Sequence, residues 1–486
     1  MALYIFGIGG TGARVVKALT FLMASGVQLP NTQSVIPILI DPDNANGDLT
    51  RTLALLRLYR SLRLHTEQDT NKFFFNEIRS LADAESVNTT NEYHFSVSGI
   101  GNNRFKDLLE LSSMSAASQA MTHLLFSEQN LEADMQVGFK GNPNIGSVVL
   151  NRFKESPVFK AFANAFNQGD RIVVIGSIFG GTGAAGLPLL IKNLRDADAS
   201  VPKHELLKNA PVAAISVLPY FDVQGETCID SDTFISKTKA ALTYYAANIC
   251  RNHSVNALYY LGDAIANTHK GADGAAAQRN KAHFVELAAA MAIVDFMQHD
   301  ASELLVEKGK VVSPRYFEYG LKEETHEIQF RHLGRRTFET AGKSLAQYFL
   351  FQKFLRDFYE TMPAGTAWMR NGNNKLSRDA FDQRMIGDLE QFNDAFNEWL
   401  AEMEQSATPF RPFRRDVGEK DILNAIVGFS EQVSVLHFME PKGTDKYSKI
   451  LSRREEKLPP LGSSERKLFG LFYTATKEII TDRIKL

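Results

Sequence analysis

Two short segments constrain this chain more than any others. Gly7-Ile8-Gly9-Gly10-Thr11-Gly12 and Gly180-Gly181-Thr182-Gly183-Ala184-Ala185-Gly186 each follow an apolar run and precede residues with helical periodicity. A strand that turns sharply into a helix needs glycine where the backbone must bend or be approached closely. The helix that follows presents unpaired N–H groups and the positive end of its dipole, a ready place for a phosphate. One or two glycines would serve a bend alone. Four glycines and a threonine in seven residues point to backbone amides curled around an anion. The first turn also satisfies G-x-G-x-x-G.

The surroundings of these turns set the fold class. Residues 2–6 form a short apolar strand, 13–24 a helix, and 35–40 a buried strand ending at Asp41-Pro42-Asp43. This βαβ unit implies a parallel sheet and an α/β fold. The rhythm returns after residue 148, with strands expected at 171–176, 211–218 and 256–261. Helices are expected at 187–195, 231–248 and 282–298. Between them, residues 50–136 read as a helical insertion with polar loops. Beyond residue 300 the pattern becomes mostly helical, with amphipathic helices at 336–361 and 378–405 and a final helix after a loop near 456. Short strands are expected at 315–319 and 327–331. The domain reading is therefore 1–300, carrying the insertion at about 50–136, and 301–486, largely helical.

Composition removes several function classes. Of 486 residues, 44% are hydrophobic and 23% charged, and the net charge is -2, which makes no electrostatic case for nucleic acid. Two cysteines are too few for a disulfide framework or a thiolate zinc site. No apolar run approaches the length of a membrane span, and Met1–Gly10 reads as a strand and not as a signal peptide, so a cytoplasmic protein is expected. No G-x-x-x-x-G-K-[ST] and no H-E-x-x-H occur. No nucleophile with an adjacent base is visible. A dinucleotide site would use one glycine loop and an acid about 20 residues on. Asp41 and Asp43 lie too far along, and the second loop has no task in that scheme. Two loops from separate strands suit a phosphate chain held from two sides.

At this point the ordered motifs resemble the tubulin/FtsZ superfamily, over about residues 3–290. G-I-G-G-T-G-A is similar to that family's first phosphate loop, and F-G-G-T-G-A-A-G to the G-G-G-T-G-[ST]-G signature. Lys140-Gly141-Asn142-Pro143-Asn144-Ile145-Gly146 resembles its G-G-N-P-x-V-G loop. Asp43 falls on the aspartate after the second strand, Pro219-Tyr220-Phe221 on a segment before a sugar-contacting loop, and Asn280 on the polar residue at the guanine edge. The likeness is to a divergent bacterial tubulin-like branch more than to FtsZ itself.

The resemblance implies GTP (or GDP) with Mg2+ as ligands and self-assembly into filaments or oligomers. The phosphate-binding residues it implies are Gly9, Gly10, Thr11, Gly12, Lys140, Gly141, Asn142, Gly180, Gly181, Thr182, Gly183 and Ala184, with Asn280 toward the base. His283, three residues on from Asn280, reads either as stacking on the base or contacting the ribose, or as a satisfied buried histidine. Asp41 and Asp43 read either as magnesium carboxylates or as an Asx-type turn around Pro42. Tyr220 and Phe234 read as core aromatics or as packing for base or ribose. The chain departs from the family in three places. The 50–136 segment is long, Arg14 stands where FtsZ has asparagine, and no N-x-D-x-x-[DE] follows the long helix. Asp300, Glu303 and Glu307 are acids there by location only. Two further readings stay open: a non-hydrolysing nucleotide sensor or scaffold whose helical C-terminal region binds a partner, as in a defence or membrane-remodelling operon, and an oxidoreductase of the dinucleotide-binding type.

Overall fold

The computed structural model describes residues 1–85, 92–95, 104–135, 139, 142–224, 234–263, 267–270, 279–320, 326–363, 366–370, 374–427 and 443–483. Its centre is an eight-stranded sheet in which every pairing is parallel. The strands are β1 (Ala2–Ile8), β2 (Ser34–Ile40), β3 (Glu77–Ile78), β4 (His94–Phe95), β5 (Arg171–Ser177), β6 (Val212–Val217), β8 (Ala257–Leu261) and β12 (Arg315–Tyr319). The short β7 (Phe221–Gln224) and β9 (Asn267–Lys270) pair with each other, as do β10 (Val306–Glu307) and β11 (Lys310–Val311). The sheet runs β12-β8-β6-β5-β1-β2-β3, with β4 also beside β2. Strand β12 lies where an extended segment is expected. At 327–331 the structure instead has a single bridge, Ile328 to Phe410, and a 3-10 turn Phe330–His332. Phe330 in this segment is buried against Phe338, Phe410 and Phe413.

A proline inside β2 looks out of place, because proline cannot donate to a ladder. The register resolves it. On the side away from β1, β2 pairs with β3 only at Ser34 and Val35 and with β4 only at Leu39 and Ile40. Pro37 sits in the gap between these two short partners.

Helices cover both faces. Within β1, Tyr4 and Phe6 point to one face, against Phe162 at ring separations of 5.0 and 4.9 Å. Helix Gly181–Arg195 lies on that same face, since a Cβ on Gly186 would stand 2.8 Å from the Ile8 side chain. Gly7 points to the other face, where a Cβ on Gly12 would meet its backbone at 2.5 Å. Helix Gly9–Ala24 therefore covers the opposite face. On the outer side of that helix, Phe21 packs against Phe392, Phe396 and Trp399 of helix Gln383–Glu404. The C-terminal helices thus form a further layer over the sheet.

The segment after helix Gly47–Arg63 is sewn into that layer. Phe73 stacks on Phe351 at 5.2 Å and Phe74 packs edge-on against Phe392 at 5.1 Å. Phe74 takes φ 54°, a costly conformation for a bulky residue, and both neighbouring rings are thereby fully buried.

Candidate functional site at the glycine turns

The strand order reverses direction between β1 and β5. From β1 the chain builds outward through β2; it then returns to β5 and builds the other way. In open parallel sheets, ligands sit at the carboxyl ends of the strands where this reversal occurs, because the two crossover helices leave on opposite faces and open a crevice. Both glycine turns lie there. A Cβ on Gly9 would be 3.5 Å from Thr182 Cβ and 3.7 Å from Gly183 N, so the two turns face each other directly. The first turn is already helical from Gly9, which takes φ 70°.

The glycines divide by task. Gly7 with Gly12, and Gly176 with Gly183, let a helix touch its own strand: the added Cβ contacts would be 2.5–3.0 Å to backbone atoms. Gly146 likewise lies 2.9 Å from Gly181 O and Ala185 Cβ by the same measure. These positions answer to packing. Gly10, Gly180 and Thr182 are the half-exposed members of the two turns, through which the crevice meets solvent, and Asn142 is half-exposed at the head of helix Pro143–Leu150.

Capping separates these helices from several others, although helix Lys343–Asp357 likewise has no side-chain cap. Helices Gly47–Arg63, Pro157–Ala165, Phe284–Gln298 and Gln383–Glu404 are capped by the side chains of Asn46, Ser156, His283 and Asp382. Helices Gly9–Ala24 and Gly181–Arg195 have no side-chain cap and no acid in the first turn, and their N-cap residues are Ile8 and Gly180. Helix Pro143–Leu150 also has no side-chain cap. Free first-turn amides at a dipole's positive end suit an oxyanion. The donor set therefore fits a phosphate group.

Beneath the first turn lies a buried charge network that sequence reasoning missed. Arg14, 3% exposed, donates from Nε to Glu286 Oε1 (2.5 Å), from Nη1 to Asp48 Oδ2 (2.5 Å), and from Nη2 to Tyr220 Oη (2.8 Å) and Thr11 Oγ1 (3.2 Å). Tyr220 donates to Glu286 Oε1 (2.6 Å). Burial alone would lower the Arg14 pKa, but Tyr220, Glu286 and Asp48 hold it well above its ordinary value. Arg51 joins by donating to Asp48 Oδ1 (2.9 Å), to Asn280 O (2.7 Å) and to Glu402 Oε1 (2.7 Å). Glu402 also accepts from Ala282 N (2.9 Å) and lies 3.7 Å from Lys17 Nζ. Burial pushes the Glu402 carboxyl up, yet Lys17 and Arg51 hold it below the usual carboxylate range. The visible signal was Arg14 and Lys17 set inside the otherwise apolar helix A-R-V-V-K-A-L.

The other expected residues fall as follows. His283 is 2% exposed and caps its helix, accepting from Val285 N at Nδ1 (3.1 Å), with Nε2 3.4 Å from Asp263 Oδ2. Asn280 is tied by its backbone, donating to Asp48 Oδ1 (3.1 Å). Tyr220 is buried, with its hydroxyl in the Arg14 network and its ring 5.0 Å from His283. Asp41 accepts from Asp43 N (3.0 Å) and Asn46 Nδ2 (3.2 Å), and Asp43 accepts from Ala45 N (3.0 Å), a pair of Asx turns. Desolvation raises Asp41 to about 7. Among the described residues no group of three or more His, Cys, Asp or Glu could hold a metal ion. A magnesium ion here would thus draw most of its ligands from phosphate and water, with one carboxylate. Lys140, Gly141 and the side chain of Phe234 lie outside what the structure describes.

Asp300, Glu303 and Glu307 are at the other edge of the sheet. Arg171, the first residue of β5, donates to His299 O (2.7 Å), and Arg315, the first residue of β12, donates to Glu303 Oε1 (2.6 Å). Glu303 also faces His299 Nδ1 (3.1 Å), and the hydrogen bonds from Arg315 and His299 draw its carboxyl down to about 2. Glu307 is exposed on the β10–β11 hairpin.

Fold and crevice together define the class: a doubly wound parallel α/β protein whose two glycine-led helices aim uncapped N-termini at one switch point. No family model matches the chain, and no curated protein matches it. Among solved structures it is similar to CetZ2 from Haloferax volcanii in a GTPγS-bound protofilament, at 14% identity and TM-score 0.27, covering 54% of this chain and 49% of that one. It is also similar to CetZ from Methanosaeta thermophila, at 15% identity and TM-score 0.26, covering 61% and 51%. A third likeness is to a two-stranded filament of TubZ-Bt, at 10% identity and TM-score 0.28, covering 65% and 61%. The chain thus spans half to three fifths of the length of these structures. At such scores the site rests on its own geometry.

Proposed function

We propose that the crevice between the two glycine turns binds GTP or GDP with Mg2+, and that the chain is a tubulin/FtsZ-like protein that self-assembles in response. The observation that carries this reading is the convergence of two uncapped helix N-termini, from opposite faces of the sheet, on the switch point between β1 and β5. In this reading Gly9, Gly10, Thr11 and Gly12 form one phosphate wall, Gly180, Gly181, Thr182, Gly183 and Ala184 the second, and Lys140, Gly141 and Asn142 the third. Asn280 stands at the base edge, and Asp41 or Asp43 holds the metal directly or through water. The division near residue 300 separates this nucleotide-binding part from a helical part, with β12 returning to the sheet from beyond it.

Hydrolysis in this proposal is slow. Asp300, Glu303 and Glu307 sit at the strands' N-terminal edge and reach only the nucleotide of another copy stacked head to tail. Glu303, engaged by Arg315 and His299, is a weak base. A second reading, a nucleotide sensor that does not hydrolyse, is favoured by one contact set: Glu402 of the C-terminal helical layer binds Arg51 and Ala282 N beside Asn280. Occupancy of the base edge has a direct route to that layer.

The deciding experiment identifies the nucleotide that copurifies and follows pelleting and light scattering with GTP, GDP and neither. Guanine nucleotide with GTP-dependent pelleting supports assembly. Guanine nucleotide without pelleting supports the sensor. Binding of NAD and not GTP rejects both.

A further inference from the structure

Arg195 is buried and forms no ion pair among the described residues. Arg195 closes helix Gly181–Arg195, 7% exposed, at the sheet edge opposite the glycine turns. Its Nε donates to Ser254 O (2.7 Å) and its Nη1 to Lys208 O and Ala210 O (2.8 Å each). These are neutral carbonyls just before β8 and β6. Nη2, itself buried, has no hydrogen-bond partner among the described residues. Desolvation, with no acid to offset it, lowers the Arg195 pKa to about 9. A buried, unpaired charge with an unsatisfied N–H is expensive, and native structures keep one where something else completes it.

Arg195 lines a cavity of about 500 Å3, within the range of small-molecule sites. Lys192, Lys208, Lys308 and Lys310 line it too, with Asn252 as a neutral polar group. Two acids are present, Asp196 and Asp198, and Asp198 is already bound by Lys154 (2.7 Å). The excess charge is positive. The hairpin that delivers two of the lysines is held in place: Gly309 N donates to Asn209 Oδ1 (3.0 Å) and Val311 N to His253 O (2.8 Å). Its turn, Lys308-Gly309, has φ 52° and 78°, the left-handed pair that a two-residue hairpin demands. Lysine occupies a position where asparagine or glycine would be cheaper, which fits a side chain kept for its charge.

We infer that this cavity binds a small polyanion, its charge set among Lys192, Lys208, Lys308 and Lys310 and offsetting the buried charge of Arg195 in the cavity wall. The site is separate from the glycine crevice and does not depend on what the crevice binds. Phosphoryl and carboxylate groups share the chemistry. The test is calorimetric titration of the full chain at constant ionic strength with inorganic tripolyphosphate and, in parallel, citrate. Wild type should bind at least one of them, and the Lys308→Glu/Lys310→Glu variant should bind at least ten-fold more weakly, with GTP affinity unchanged. Preference for tripolyphosphate assigns a phosphorylated ligand; preference for citrate assigns a polycarboxylate. These lysines are exposed, so the variant tests charge and not folding. Arg195→Met supplies the buried half of the test and should remove binding as well. The inference is overturned if neither anion binds wild type, or if both variants bind as wild type does.

Discussion

Two of the buried arginines, Arg14 and Arg195, lie at opposite edges of the sheet and are treated oppositely. At the glycine edge, Arg14 meets Asp48, Glu286 and Tyr220 within 2.5–2.8 Å and is held more strongly protonated than usual. At the other edge, Arg195 meets only carbonyls among the described residues, keeps one N–H unpartnered there and is drawn down to about 9. Burial is similar, so the difference lies in the partners. Where charge is neutralised from within, the arginine organises the protein: it joins the first glycine helix to helix Gly47–Arg63, to the long helix Phe284–Gln298 and to the segment at Tyr220. Where it is not, as at Arg195, the buried charge is left for the proposed polyanion to offset. Burial by itself therefore does not separate a structural charge from a binding one; the completeness of its shell does.

Three substitutions test this contrast. Arg14→Met should have the largest effect, because it strands Asp48 and Glu286 without their guanidinium. Breaking a buried pair in this way costs about 3–5 kcal/mol, and chemical denaturation at neutral pH should show a loss of that order. A loss below about 1 kcal/mol would mean that the network contributes little and that the contrast is empty.

Asp41, at the glycine edge, probes the same idea with the sign reversed, since it is buried and has no cationic partner among the described residues. Its folded pKa of about 7 lies above the ordinary 3.8. Between those values the unfolded chain has released a proton that the folded chain keeps. Its contribution is therefore present below about pH 4, falls as pH rises to 7, and is flat above. At roughly 1.4 kcal/mol per pH unit, the stability difference between wild type and Asp41→Asn should shift by up to about 4 kcal/mol in favour of the variant across that window. Magnesium with GTP should restore wild type at pH 8 and not the variant, if Asp41 is the metal carboxylate. A pH-independent difference would show that Asp41 is not kept neutral.

Arg195→Met should cost least. It strands no carboxylate and leaves only carbonyls short of donors, about 1–3 kcal/mol. Thermal unfolding of the variants should place Arg14→Met well below Arg195→Met. Equal losses would remove the distinction between the two edges.

Much of the fold was legible because strand and helix periodicities are local. Strand β12 sits at Arg315–Tyr319, where five residues of extended pattern are bounded by a proline and a glycine. The glycine turns announced themselves through spacing. Pro37 in β2 looked like a fault and is explained only by the pairing of β3 and β4 around it. The expected strand at 327–331 failed because a single bridge to Phe410 depends on a helix layer that no local window contains. His283, read as a binding or a core residue, is seen as a helix cap once Val285 N is placed against its ring.

By itself, then, the sequence determined that a parallel sheet exists and that two of its strand-to-helix turns are built from glycine. Those features follow from backbone sterics and from side-chain periods of two and of about three and a half residues, which neighbours along the chain enforce. Only the tertiary structure decided that the turns face each other, which glycines answer to packing, and that Arg14 is satisfied while Arg195 is not. These depend on carboxylates 34 and 272 residues away for Arg14 and on carbonyls up to 59 away for Arg195. Charge pairing is set by distance in space, and a sequence states distance only along the chain.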